Sequence, residues 1–208
     1  SIVAVPGGAG ANKANGKASK TEWATVVLLV NLGDDDVSVT LRYVGTVVKA
    51  ARNRPASITQ VVHADDSLRL ADVLRARLGV LEGNGMLVVE SAGAGGVFPL
   101  VLGETYNVKN RRFGQTAGAQ TDGQLIHAGQ TRLLLGLRED GLYRGALSFY
   151  NPGGATAKAE LVYRSAAGAV LSRIKISVNA GQLLQRGARD GNALKESYSG
   201  LFSLERNV

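Results

Sequence analysis

The feature that most constrains this 208-residue chain is a segment that occurs twice at a fixed interval. WATVVLLVNLGDDDVSVTLRY, Trp23 to Tyr43, and YRGALSFYNPGGATAKAELVY, Tyr143 to Tyr163, align without a gap. Asn31 and Asn151, Gly33 and Gly153, Leu41 and Leu161, Tyr43 and Tyr163, and the aromatic openers Trp23 and Tyr143 all stand 120 positions apart. Two strand lengths and the link between them are therefore retained, because one inserted residue would turn every later side chain to the opposite face of a sheet.

Within each copy the pattern alternates. Val37, Val39, Leu41 and Tyr43 share one face against Ser38, Thr40 and Arg42, and Ala157, Ala159, Leu161 and Tyr163 share one against Lys158, Glu160 and Val162. That is the signature of a half-buried antiparallel strand. The links NLGDDD and NPGGAT carry turn residues, since Asn and Asp bond their own backbone and Gly takes positive φ. Each copy is predicted to be a hairpin. Further on, NGMLVVES at 84–91 resembles SGLFSLER at 199–206, with Gly85 and Gly200 standing 115 apart. Between these, Leu68, Leu70, Val73, Leu74 and Leu78 lie close to a helical stripe, with Asp65 or Asp66 and Ser67 as N-caps and Gly79 as the stop, which predicts a short helix near residues 67–78. The first copy then runs on through GVFPLVLGETYNV, Gly96 to Val108, while nothing comparable comes after LFSLER in the second. The second unit is expected to be one strand short. An unpaired sheet edge must be covered, blunted by charge, or completed by a neighbour's strand.

Composition supports a β-rich chain. Apolar residues make up 45%, charged residues 20% and aromatics only 5%, with 27 glycines, so the core is built from Val, Leu, Ile and Ala between many tight turns. The formal charge of +7 gives weak attraction to polyanions. The densest basic groups, Lys49 with Arg52 and Arg54, and Lys109 with Arg111 and Arg112, are not interleaved with stacking aromatics, so no specific nucleic-acid partner is expected. The absence of cysteine excludes a disulfide frame, a thiolate metal site and a thiol nucleophile. No apolar run reaches the roughly 18 residues of a membrane span. The opening SIVAVPGGAG, without an initiator Met, reads as a mature chain after removal of a signal peptide, and places the protein outside the cell or at the cell surface.

The sequence carries few residues arranged for chemistry. His63 and His127 are isolated from each other and from any triad spacing. Asp34, Asp35 and Asp36 form an acidic tip with no acidic equivalent at Gly154, Ala155 and Thr156, and a hairpin tip alone seldom gives calcium its six to eight oxygens. Glu104 with Glu139, or Asp72 with Glu82, have nothing that brings them together. GGAG and the GAGG at 93–96 lack the Lys-Ser/Thr and helix of a phosphate loop. No catalytic residue, metal site or cofactor is expected, and the chain is read as not an enzyme. Trp23, Tyr106 and Tyr198 are the aromatics that could stack on sugars if exposed.

The order TEWATVVLLVNLGDDDVSVTLRY, DSLRLADVLRARLG, GNGMLVVES, PLVLGETYN and RRFGQTAGA, continued by LLLGLREDGLYRGALSFYNPGGATAKAELVYRSAAGAVL, resembles a family of tandem immunoglobulin-like β-sandwich repeats in predicted secreted bacterial proteins. Its landmarks are Trp23 and Tyr143, Asn31 and Asn151, Tyr106-Asn107 and Phe113-Gly114-Gln115. The resemblance implies non-catalytic surface or extracellular modules. The fold expected is all-β: two tandem immunoglobulin-like antiparallel β-sandwich domains, residues 1–118, with 7–20 as a flexible loop, and residues 119–208, divided near the polar run QTAGAQTDGQ. The function expected is an extracellular structural subunit that self-associates head to tail into a surface filament, with Ile2, Val3, Ala4 and Val5 as donor-strand residues. Set against this are a first strand that stays in its own domain, and a monomeric carbohydrate-binding or adhesive module whose partner is a glycan or other surface polymer.

Overall fold

The computed structural model describes residues 2–11, 22–91, 99–108, 114–139, 146–165, 167–187 and 198–205. The chain is all-β and divides into two compact units, Ser1–Leu125 and Ile126–Val208. Lys109, Arg111, Arg112, Phe113, the glycine run at 93–96 and residues 12–20 of the expected loop lie outside the described residues.

The first unit contains β1 (Ile2–Ala11), β2 (Glu22–Asn31), β3 (Val37–Ala50), β4 (Ser57–Val62), β5 (Asp66–Leu70), α1 (Val73–Ala76), β6 (Val80–Ser91), β7 (Leu100–Asn107) and β8 (Gly114–Gly118). One layer runs β4-β3-β6-β1, the other β5-β2-β7-β8, and every pairing is antiparallel. β1 joins the layers: Ile2 to Ala9 pair with β6, then Gly10 and Ala11 pair with Trp23 and Glu22 of β2. Residues 7–11 are thus strand rather than loop. Glycine allows the crossing because it bends a strand without a side chain to collide. Val27, Leu29 and Val101 from one layer meet Val39, Leu41 and Leu87 from the other in a single core, each 2% exposed or less.

The repeated segments are not hairpins. β2 pairs with β1, β5 and β7, while β3 pairs with β4 and β6, so the six residues from Asn31 to Asp36 arch from one layer to the other. Asn31, fully buried, holds the arch. Its amide nitrogen donates to the carbonyls of Asp35 (2.8 Å), His63 (3.0 Å) and Val62 (3.2 Å), and its Oδ1 accepts from Gly33 N–H (3.1 Å). Asn151 repeats this: it donates to Ala155 O (2.7 Å) and Val178 O (2.9 Å) and accepts from Gly153 N–H (3.1 Å). A local Asn turn fits a hairpin and an arch equally well; strand pairing decides between them.

The helix is shorter than its leucine stripe predicts. Leu68 and Leu70 belong to β5, opposite Leu29 and Val27, and only Val73–Ala76 is helical. Leucines two apart satisfy a strand period as well as part of a helical one, and pairing with β2 settles the choice. Leu74 and Leu78 still reach the core. The polar run chosen as a boundary is also partly ordered, since Gly114–Gly118 forms β8 against β7.

The second unit contains β9 (Thr131–Glu139), β10 (Ala146–Tyr150), β11 (Ala157–Ser165), β12 (Val170–Val178), β13 (Leu183–Gly187) and β14 (Tyr198–Glu205). One layer runs β12-β11-β14-β9, and the other consists of β10 and β13. Register repeats that of the first unit row by row. Leu41↔Ile58 becomes Leu161↔Ile174, Leu29↔Leu68 becomes Phe149↔Leu184, and Tyr43↔Leu87 becomes Tyr163↔Phe202. β9 holds the place of β1, since Val5 pairs with Leu87 and Leu134 with Phe202.

Tyr43 shows how tightly the first core closes. Its hydroxyl donates to Thr46 O (3.1 Å), and the Arg54 guanidinium lies 5.9 Å from the ring centroid. Gly45 and Gly85 pair beside it, and a Cβ on Gly45 would come within 2.6 Å of both Asn84 O and Gly85 Cα. Burial pushes the Tyr43 hydroxyl up to about 12, against a smaller lowering by Arg54.

Asn31→Leu or Asn151→Leu strips buried carbonyls and an N–H of their partner and should cost about 2–4 kcal/mol, read by denaturant unfolding. Tyr43 holds its proton more tightly folded than unfolded, so its contribution to stability is complete below the ordinary tyrosine pKa and is lost as pH rises toward about 12. Thermal melts across that window should show a loss that Tyr43→Phe reduces.

Candidate functional site

The two units differ where the second layer is cut short. In the first unit β2 lies between β5 and β7, with β8 beyond. In the second, β10 has β13 on one side, and among the described residues no strand pairs with its other side. Among the described residues, the positions that β7 and β8 hold in the first unit have no strand in the second.

The role of β7 in the first unit defines the gap in the second. Val101 stands opposite Leu29, and Gly103 opposite Val27. All four are buried, with Val27 and Leu29 at 0%. The matching positions in the second unit, Leu147 and Phe149, pack against Leu161, Tyr163, Ile176 and Val178 yet remain only half-buried. Leu134 on β9 completes the picture. It shares a register row with the core residue Tyr163 through Phe202, so it belongs to the core face, and it is 43% exposed. In the first unit β1, the counterpart of β9, runs close beside β7. Among the described residues, the second unit therefore shows an apolar slot, with β10 along one side and β9 on the facing layer, where its twin holds a strand.

Charge sets β10 apart. Its sequence, ALSFY, has no charged residue, whereas β12 carries Arg173 and Lys175, and β13 carries Arg186. Charged side chains discourage a second chain from pairing with a sheet edge. β10 has no such protection.

The residues singled out from sequence fall elsewhere. Ile2, Val3, Ala4 and Val5 pair with Glu90, Val89, Val88 and Leu87 of β6 in their own unit. Trp23 is half-buried on β2; its carbonyl accepts from Arg75 Nη2 (2.5 Å), and Arg75 Nη1 bonds Glu22 Oε1 (2.7 Å). Burial raises the pKa of the neighbouring Asp72, opposed by Arg75 and reinforced by Glu22. Tyr106, also half-buried, stands opposite Ala24. Tyr198 opens β14 opposite Glu139, and its side chain is outside what the structure describes. Trp23 and Tyr106 lie in adjacent rows of the β2–β7 pairing, and Tyr198 belongs to the second unit.

The remaining polar groups make local contacts. His63 Nδ1 meets Asp36 Oδ2 at 2.9 Å, and Ala64 N–H donates to Asp36 Oδ1 at 3.0 Å; the His63 bond first, and then the Ala64 bond, holds the carboxyl below its ordinary range. His127 lies on an exposed turn, where its N–H donates to Gln130 Oε1 (3.1 Å). Among the described residues no three His, Cys, Asp or Glu side chains are grouped to hold a metal, and no helix is long and apolar enough to cross a membrane.

The fold defines an all-β protein of paired antiparallel layers. No protein-family model matches the sequence, and no curated protein matches it. Among solved structures, the crystal structure of Thermotoga maritima 1070 is similar over 57% of this chain and 91% of its own, at 15% identity and a TM-score of 0.40.

The slot has a measurable signature. The backbone amide of Ser148, which points away from β13, should exchange with deuterium faster than that of its counterpart Leu28, whose strand is paired on both sides. Hydrogen-exchange mass spectrometry of the monomer reads this directly, and equal protection would mean that the edge is covered.

Proposed function

We propose that the protein is a non-catalytic extracellular structural subunit whose second unit is completed by a strand from another copy, so that copies join head to tail into a surface filament. The observation that carries this reading is the slot along β10, an uncharged edge beside the half-buried core residues Leu147 and Phe149. An added strand gains main-chain hydrogen bonds from the edge and burial from the core beneath it. Removing the remaining exposed apolar area is favourable at roughly 25 cal/mol per Å².

The donor is β1, through Ile2, Val3, Ala4 and Val5. It pairs with β6 from Ile2 to Ala9 and with β2 only at Gly10 and Ala11, and none of its ten residues is charged. Donation exchanges its place on β6 for a place on β10 of the next copy, so assembly is slow relative to simple docking. A donor on one face and an acceptor on another is a heterologous contact, which gives filaments when the rotation does not close.

Phe149→Lys places a charge at the mouth of the slot and should abolish polymers seen by negative-stain imaging. Ser148→Lys, on an exposed residue of the same strand, should shorten them without disturbing the core. Polymers unchanged in both variants, with circular dichroism as in the parent, would sink the proposal.

A further inference from the structure

One edge of the first unit is built differently from its twin. Among the described residues β4 pairs with β3 and with no other strand. Its sequence, SITQVV, has no charged residue, and Ser57, Thr59 and Val61 stand exposed along its outer face. β12 holds the same place in the second unit, where Ile174 opposite Leu161 matches Ile58 opposite Leu41. There the residues matching Ser57 and Thr59 are Arg173 and Lys175, both exposed. Charge on an edge strand keeps a second strand away. β4 lacks that guard at the two positions where its twin has it.

Charge gathers instead at the two ends of β4. Arg52 and Arg54 lie in the bend before it, and Asp65 and Asp66 follow it. Asp36 Oδ1 accepts from Ala64 N–H (3.0 Å) and Gly33 O from Asp65 N–H (3.1 Å), which brings the acidic arch to the same end as Asp65 and Asp66. At about 3.4 Å per residue the strand holds its two ends about 20 Å apart, well beyond the roughly 8 Å over which salt screens exposed charges. Neither end neutralises the other. We infer that β4 pairs antiparallel with β4 of a second copy about a two-fold axis, so that the basic bend of each copy comes beside the acidic end of the other. Parallel pairing would set acid against acid. Thr59 lies on the axis opposite Thr59 of the second copy, with Ser57 opposite Val61 and Ile58 opposite Gln60. Opposed residues are then an even number of positions apart, so outer face meets outer face and outward-turned backbone groups meet others turned outward. The hydroxyls of Thr40 and Thr59 already lie 3.1 Å apart, and the axis extends them into a row of four threonines, a favourable pairing across strands. The contact uses neither β1 nor β10, and it holds whether or not copies also join through those strands.

The chain contains no cysteine, so introduced thiols report pairing without background. Directly opposed residues of an antiparallel pair have Cα atoms about 4.5–5.5 Å apart, inside disulfide reach. Full-length Thr59→Cys should link to itself under mild oxidation, and Val61→Cys should link to Ser57→Cys but not to itself. In the Thr59→Cys chain, Arg52→Glu or Asp66→Lys alone, each at an exposed residue, should weaken linkage several-fold, and the two together should restore it, with circular dichroism as in the parent throughout. Self-linkage of Val61→Cys as strong as that of Thr59→Cys means parallel pairing and overturns the two-fold contact. Preferential linkage of Thr59→Cys to Val61→Cys moves the axis to Gln60 and overturns the register. Failure of the double charge exchange to restore linkage overturns the meeting of opposite ends. Linkage of Thr59→Cys no greater than that of Ser177→Cys, an exposed position on β12, overturns the contact itself.

Discussion

Everything in this fold depends on two buried asparagine side chains. A chain that leaves one sheet for the facing one drops out of the strand ladder, and carbonyls and N–H groups at the base of the arch need another partner. Asn31 and Asn151 answer three and two of those carbonyls respectively, and one N–H each. Because the carbonyls come from the arch and from the end of the facing layer, each amide fixes the turn and the alignment of the layers at once. Full satisfaction of a buried polar group is what makes such a group structural rather than costly.

The two units keep one framework and differ at its border. Shared rows place Leu41 and Leu161, Leu29 and Phe149, and Tyr43 and Tyr163 identically. The first unit encloses its core with β7, and buries Val73, Leu74 and Leu78 against it. The second keeps the same inner face but leaves Leu147, Phe149 and Leu134 partly uncovered. Larger residues at these positions than in the twin, with Val27 becoming Leu147 and Leu29 becoming Phe149, concentrate apolar surface where it is least protected.

Much of the fold is legible in the sequence, and the failures have physical causes. The 120-residue interval and the alternation from Val37 to Tyr43 fix strands and faces. They do not fix partners, which is why an arch reads as a hairpin: the turn residues are identical, and only non-local pairing separates the two. Leu68 and Leu70 mislead because their spacing suits a strand while the residues after them suit a helix. The equivalence of β1 and β9 is invisible by inspection, since IVAV and TRLL share only an apolar character and are matched through their partners on β6 and β14. An open edge is harder still. Which side of which strand is left without a neighbour exists only in three dimensions.

The intervals between matched strands are unequal. β2 and β3 stand 120 residues before β10 and β11, β4 and β5 stand 116 before β12 and β13, and β6 stands 115 before β14. Insertion and deletion between these matched strands has therefore fallen in connectors, four residues of it between β3 and β4, while no matched row has slipped. Length behaves as a free variable at those tips and as a forbidden one within the strands, so grafted sequence would be accommodated at the 51–56 bend of the first unit and at few places between.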